Sequence, residues 1–440
     1  MLISSTGYRL CRAMAAAALG LSLVGVTGTS ASAETTREEQ WFLDAMQAEN
    51  MWKTSTGEGV TVAVIDSGVD WTNPDLKGRV LAGKDYATDQ PGDEHTDYAG
   101  HGTGMAGLIA GTGAYGGGQG AFGLAPGAKI LPVRMPKADE LANMAEGNEV
   151  FNELVPQAIR YAVGAGARVI NISLGFSEGS PQLTDAVKYA LDKGALIFAA
   201  VGNTGDQANL PEYPSVTPGV VGVAAVGRNL HRTAESQFGP QVDMAAPGED
   251  MVHACGTKSG VCKSSGTSDA TALASASAAL IWSVHPTWTN NQVLRVMLNT
   301  IGGPTDGAKR NDAIGYGIVR PRIALQNPGD PGPANVYPLP DLAEAEKPAS
   351  PAPSAKASEP AKTVAAAKKD DDGTPWLGIG LGVAALAAAG AAATVVARKR
   401  RTTPQHPQNQ PHPAPQQGFG PPPTMPANVP PPPPHNPGPN

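Results

Sequence analysis

Between residues 60 and 226 one pattern repeats. Short, almost wholly apolar runs appear: VTVAVID (60–66), AKILPVR (128–134), RVINISL (168–174), ALIFAAV (195–201) and VVGVAAV (220–226). Between several of them lie helix-like stretches: HGTGMAGLIAG (101–111), NEVFNELVPQAIRYAVGAG (148–166) and TDAVKYALDKG (184–194). A strand with one wet face alternates apolar and polar residues. These strands do not alternate, so both of their faces are covered. Strands alternating with helices predict an α/β fold, a doubly wound parallel sheet with helices on both faces. Sites in such sheets form beyond the carboxyl ends of strands, where Asp66 and Asn203 stand. A further run, SSGTSDATALASASAAL (264–280), opens on a turn and continues as a helix headed by Ser268.

The two ends of the chain carry different patterns. Arg9 and Arg12 precede the short apolar run AMAAAALGLSLVGV, and Ala31, Ser32 and Ala33 fit a cleavage site. This predicts a secretory signal over residues 1–33, with the mature chain starting at Glu34. Residues 376–397 form an uncharged apolar stretch of 22 residues, followed by Arg398, Lys399, Arg400 and Arg401. At ~1.5 Å per residue such a helix spans ~33 Å, about one hydrocarbon core. The basic end belongs in the cytoplasm, giving a single-pass type I cell-membrane protein with its folded body outside. Residues 34–58 are a short N-terminal extension and 59–326 the folded domain. Residues 327–375, rich in Pro and Ala, read as an extended flexible stalk, and 398–440 as the basic stop with a disordered Pro-rich tail. The tail 402–440 holds 16 of the 41 prolines, too few apolar side chains remaining for a core.

Charge changes little. The formal net charge is −7 among 440 residues, with no basic cluster in the body, so nucleic acid is not an expected partner. Past the signal only Cys255 and Cys262 remain; outside the cytoplasm they are expected to form a disulfide just ahead of Ser268. An acidic loop, with Asp85, Asp89, Asp93, Glu94 and Asp97, is compatible with calcium, although a solvated loop is the simpler reading. No metal ligand set is expected, and no cofactor is required. His95, His231, His253 and His285 have no ligand spacing with one another or with the cysteines.

Candidate chemistry comes from three motifs in order. VAVIDSGVD puts Asp66 at a strand end, GHGTGMAGLIAG puts His101 at a helix start, and SGTSDATA puts Ser268 at another. A serine at a helix start is ordinarily a cap. With a base to take its proton and an acid to orient that base, it becomes a nucleophile. Asp66, His101 and Ser268 supply that order of roles. Asn203, on a Gly turn in FAAVGN, offers an amide to a developing oxyanion beside the Ser268 N–H. Asp243 is a rival acid without a comparable motif around it.

These motifs, with AKILPVR, ISLG (172–175), APG (246–248) and GYGIV (315–319), resemble the subtilisin family of serine endopeptidases over roughly residues 57–325. The stretch from Gln40 through VAVIDSGVD, with a signal before it and an apolar anchor after the domain, is similar to the mycosins of type VII secretion. That resemblance implies an extracytoplasmic protease acting on protein or peptide substrates near secretion-membrane components. It implies that Ser173, Leu174 and Gly175 pair with substrate backbone beside the P1 pocket, with Ala199 and Ala200 as the other wall. Asp269 and Phe176 depart from the usual family pattern, the first placing a carboxylate beside Ser268, the second narrowing the cleft. Two rival expectations follow: a structural subunit of a secretion complex with dispensable proteolysis, and a peptide-binding domain without turnover.

Overall fold

The computed structural model describes residues 35–137, 141, 143–256 and 260–345. The expected signal, the apolar stretch 376–397 and the basic and Pro-rich tail lie outside them. Among the described residues no helix is long and apolar enough to cross a membrane.

Seven strands form one parallel sheet: β1 (Thr61–Asp66), β2 (Lys84–Asp85), β3 (Lys129–Arg134), β4 (Val169–Ile172), β5 (Leu196–Ala200), β6 (Val221–Val226) and β7 (Met244–Pro247). Their order is β2-β3-β1-β4-β5-β6-β7. The chain therefore builds outward from β1 in one direction and then in the other. Asp66 ends β1, between β3 and β4, where the strand order reverses; crevices for ligands open at such points.

Side-chain alternation divides the core. Val62 and Val64 of β1 join one apolar cluster, Ala63 and Ile65 the other, as the two-residue period of a strand requires. The first face is covered by α1 (His101–Ala110), and the opposite face by α2 (Met144–Gly164) and α3 (Pro181–Asp192). α4 (Thr267–Val284) and α5 (Asn290–Asn299) complete the first face. Every residue of α4 from Thr267 to Trp282 is buried. That explains its small, all-round apolar composition: a helix wet on one side would show a stripe.

A β-hairpin that the apolar pattern did not reveal, β8 (Met251–Ala254) with β9 (Val261–Ser264), lies against α1. The disulfide Cys255–Cys262, with Cα atoms 5.8 Å apart, closes it. The loop is short, so its entropic contribution stays below ~3 kcal/mol.

The N-terminal extension is part of the core. Its three short helical turns bury Phe42, Leu43, Ala48 and Met51. Gln40 is fully buried and uses its whole amide: Nε2 donates to the carbonyls of Phe122 (2.7 Å) and Val252 (3.0 Å), and Oε1 accepts the Phe122 N–H. Trp41 donates its indole N–H to the Glu249 carbonyl. No residue of 35–58 lines the cleft beside His101.

Of the stalk expected over 327–375, residues 346–375 lie outside the described residues, and the part before them is bound to the domain rather than free. Residues 331–336 lie along α5, where Arg295 donates to the carbonyls of Pro331, Pro333 and Val336, and Gln292 to that of Gly332. Leu339 enters the core, and Asp341 accepts the Gly219 N–H. Composition suggested a free linker because these bonds use backbone carbonyls, which any sequence supplies.

Gln40→Ala would strip partners from a buried N–H and two carbonyls. Unsatisfied buried groups cost ~1–3 kcal/mol. We expect a loss of about 2–3 kcal/mol, read as a lower urea midpoint at unchanged m-value.

Candidate active site

The site begins at the end of β1. Asp66 is buried, 4% exposed, and its Oδ1 accepts the N–H of Ser67. Both carboxylate oxygens face His101 Nδ1, at 2.8 and 3.0 Å. The imidazole is thereby fixed with its proton on Nδ1 and Nε2 left as the basic nitrogen.

His101 is held at the head of α1 by two caps. Asp97 Oδ2 accepts the Thr103 N–H (2.7 Å), its Oδ1 accepts the Gly100 N–H and the Ser67 hydroxyl, and Ser67 Oγ accepts the Gly102 N–H. A carboxylate there satisfies orphan donors and suits the helix dipole. α1 also comes unusually close to its neighbours. A Cβ at Gly102 would lie 2.2 Å from the Gly68 carbonyl oxygen, one at Gly104 2.6 Å from the His253 ring, and one at Gly107 2.9 Å from Ala254. Gly102 thus lets the His101 helix approach the end of β1, while Gly104 and Gly107 let it approach the hairpin.

Ser268 is at the head of α4, 8% exposed. Its Oγ donates to the Ser173 carbonyl (3.3 Å), and Ser173 Oγ accepts from Asn171 Nδ2 and donates to the Ser268 carbonyl. Among the described residues no hydrogen bond joins Ser268 to His101. Such bonds often tighten only when substrate arrives. Asn203 follows β5; its Oδ1 accepts from the N–H (2.9 Å) and hydroxyl of Thr267, while Gly202 N–H donates to the same hydroxyl. This leaves the Asn203 Nδ2 face without a partner among the described residues, beside the residue that precedes Ser268.

A cleft of about 500 Å³ opens beside His101, lined in part by Ser173, Leu174, Gly175, Phe151 and Phe176. Phe176 packs on Phe151 with ring centroids 5.4 Å apart; it forms an apolar wall of the cleft. Ala199 is turned into the core and Ala200 is 7% exposed.

Asp269 points away from the substrate side. One residue past Ser268, it is rotated by about 100° around the helix and faces the hairpin. It accepts a short hydrogen bond from Ser264 Oγ, and that oxygen also meets His253 Nε2 at 2.9 Å. His253 Nδ1 meets the Ala254 carbonyl. Sequence reasoning did not connect these three residues, because only the hairpin register brings them together. Burial raises the Asp269 carboxyl and lowers the His253 imidazole; both shifts favour a neutral pair.

The other candidates fall elsewhere. Asp243 is half-buried, accepts the Gly222 N–H, and is pushed up to about 8 by desolvation. Asp85 pairs with the buried Arg134. Asp93, Glu94 and His95 bring ligand atoms within 4.8 Å of one another. That set includes an imidazole and lacks the six or more oxygens of a calcium cage.

The model of the subtilase family matches residues 57–317. The chain belongs to the subtilase family. It is a serine protease of that family. The thermostable alkaline protease of Halalkalibacterium halodurans is 35% identical over 288 residues, 65% of this chain and 72% of the relative. Thermitase of Thermoactinomyces vulgaris is 35% identical, over 53% of this chain and 78% of its own. Among solved structures, MycP1 from Mycobacterium smegmatis is similar at a TM-score of 0.57 and 28% identity, covering 67% of this chain and 86% of that one. The MycP3 protease from the type VII (ESX-3) secretion system is similar at 0.57 and 32%, covering 68% and 90%.

The Asp66 carboxylate is the main reason why His101 is raised to about 9; Asp269 and Asp97 add smaller pulls, and burial opposes them. The ring keeps 40% of its surface exposed, so salt screens part of the effect. NMR titration of the imidazole should give a midpoint near 9 in this subtilase. Asp66→Asn should bring it down by more than one unit, toward the ordinary value near 6.5.

Proposed function

We propose that Asp66, His101, Ser268 and Asn203 are the catalytic set of this subtilase. The carrying observation is the two-oxygen grip of Asp66 on His101 Nδ1, which leaves Nε2 free to act as a base. His101 takes the Ser268 proton as Oγ attacks the scissile carbonyl. The oxyanion is met by the Ser268 N–H at the head of α4 and by Asn203 Nδ2. His101 then returns the proton to the leaving amine, and an acyl-enzyme remains for water to cleave. Because the base must be neutral, kcat/KM rises with pH through the His101 midpoint.

We place this reaction outside the cytoplasm, on a chain anchored by residues 376–397 and working beside a type VII secretion apparatus. The signal-like residues 1–33, the apolar stretch with its basic end, and the likeness to the MycP1 and MycP3 structures support this reading.

Fluorophosphonate labelling of the full chain should mark the native protein and not Ser268→Ala. Peptide cleavage should fall by roughly 10⁶-fold in that variant with an unchanged melting transition. Cleavage retained by Ser268→Ala removes Ser268 from the mechanism. Protease accessibility in intact cells tests the placement: the domain should be digested from outside and the tail protected. Secretion restored by Ser268→Ala in a deletion strain would move the weight to a structural role.

A further inference from the structure

Glu212 lies on a loop between β5 and β6, outside every motif discussed so far. Its backbone neighbour Tyr213 exchanges two hydrogen bonds with Phe176, at 3.0 and 2.7 Å, which fixes the loop alongside the 173–176 segment. The side chain points back toward the nucleophile. A Cβ at Gly175 would lie 2.7 Å from Glu212 Oε2, and a Cβ at Gly202 would lie 2.8 Å from Oε1. The carboxylate therefore lies between the two glycines, with the Gln237 amide beside it at Gly202.

Those glycines border the reacting groups. Gly175 is two residues beyond Ser173, whose carbonyl holds Ser268 Oγ, and Gly202 immediately precedes Asn203. A substrate whose carbonyl carbon meets Ser268 Oγ, with its oxygen on Asn203, must place the side chain of that same residue within a few ångströms of both. The Glu212 carboxylate lies against both glycines, next to that position.

The charge of Glu212 is only half answered. Oε1 accepts from Gln237 Nε2 at 2.8 Å, and that amide also donates to Thr204 Oγ. Gln237 is fully buried and gives the carboxylate a fixed orientation. Among the described residues Oε2 accepts no hydrogen bond and Glu212 has no cationic partner. The nearby Arg232 is spent on the carbonyls of Thr233, Ala234 and Ser236. Burial accordingly raises the Glu212 carboxyl, as expected for a charge awaiting a partner.

We propose that Glu212 is the specificity-determining residue of the P1 pocket and selects lysine or arginine as the residue whose peptide bond is cut. An incoming ammonium or guanidinium pairs with Oε2 while Gln237 holds Oε1. An apolar residue of the same length would strip water from the carboxylate and return nothing. Sites built around a buried polar group reject analogues that lack its partner far more strongly than apolar pockets reject a misfit. The assignment rests on Ser268 being the nucleophile, so its test separates binding from turnover.

The test uses the full chain carrying Ser268→Ala, titrated with matched peptides ending in Lys, Arg, norleucine or Glu at the carboxyl terminus. Lys and Arg peptides should bind at least tenfold more tightly than norleucine. Glu212→Gln in the same background should reduce that ratio to near one, and Glu212→Asp should restore part of it, with melting curves confirming folded protein. Equal affinity for Lys and norleucine, or a ratio unmoved by Glu212→Gln, overturns the proposal. The chain with Ser268 intact should show the same order in kcat/KM. Lys-selective binding without turnover of any peptide would support the Glu212 assignment and count against the protease reading.

Discussion

The site depends on how closely α1 approaches its neighbours. A helix normally keeps 8–10 Å from the axis it packs against because side chains intervene. Here Gly102, Gly104 and Gly107 remove them, and the neighbouring groups occupy the space their Cβ atoms would need. At Gly102 that close approach lies beside Asp66, the acid that ends β1. The same approach presses the helix onto the hairpin, so His253 packs against α1 on one side and reaches Ser264 on the other. A single methyl at Gly104 would push on both.

Around that contact the polar groups are organised in two chains that do not merge. One runs from Asp97 through Ser67 to Asp66 and His101. The other runs from Asp269 through Ser264 to His253. The first ends on a half-exposed imidazole in the cleft, whose protonated form the Asp66 carboxylate favours. The second is buried, and desolvation drives its members toward neutrality. The second acid, one residue from the nucleophile, is turned inward toward the hairpin, where Ser264 Oγ donates to it.

Much of this was legible in the sequence, for identifiable reasons. The strands showed because both faces of the sheet are covered, which leaves uninterrupted apolar runs such as 60–66. The catalytic candidates showed because tight turns and helix heads impose Gly and small residues around Asp66, His101, Asn203 and Ser268. Other features left no such trace. The hairpin strand 261–264 is half-exposed and mixed in composition. β7 is only four residues long. The docking of 331–336 uses carbonyls, and composition is blind to carbonyls. Glu212 lies nine residues beyond Asn203 in an unremarkable loop, and its relation to Gly175 is purely tertiary.

The N-terminal extension has a temporal consequence. Gln40 and Trp41 make their bonds to residues 212 and 208 positions later, and Ser55 bonds to Leu280, 225 positions on. At synthesis rates of about 5–20 residues per second, roughly 10–40 s separate the appearance of this apolar segment from that of its partners. During that interval the Trp41 indole lacks its native acceptor, the Glu249 carbonyl. The domain cannot be assembled piecewise from its beginning; its first segment is locked only when nearly its last has arrived. Contacts of such long range slow folding, and they make a shielded start of the chain a requirement of its biogenesis.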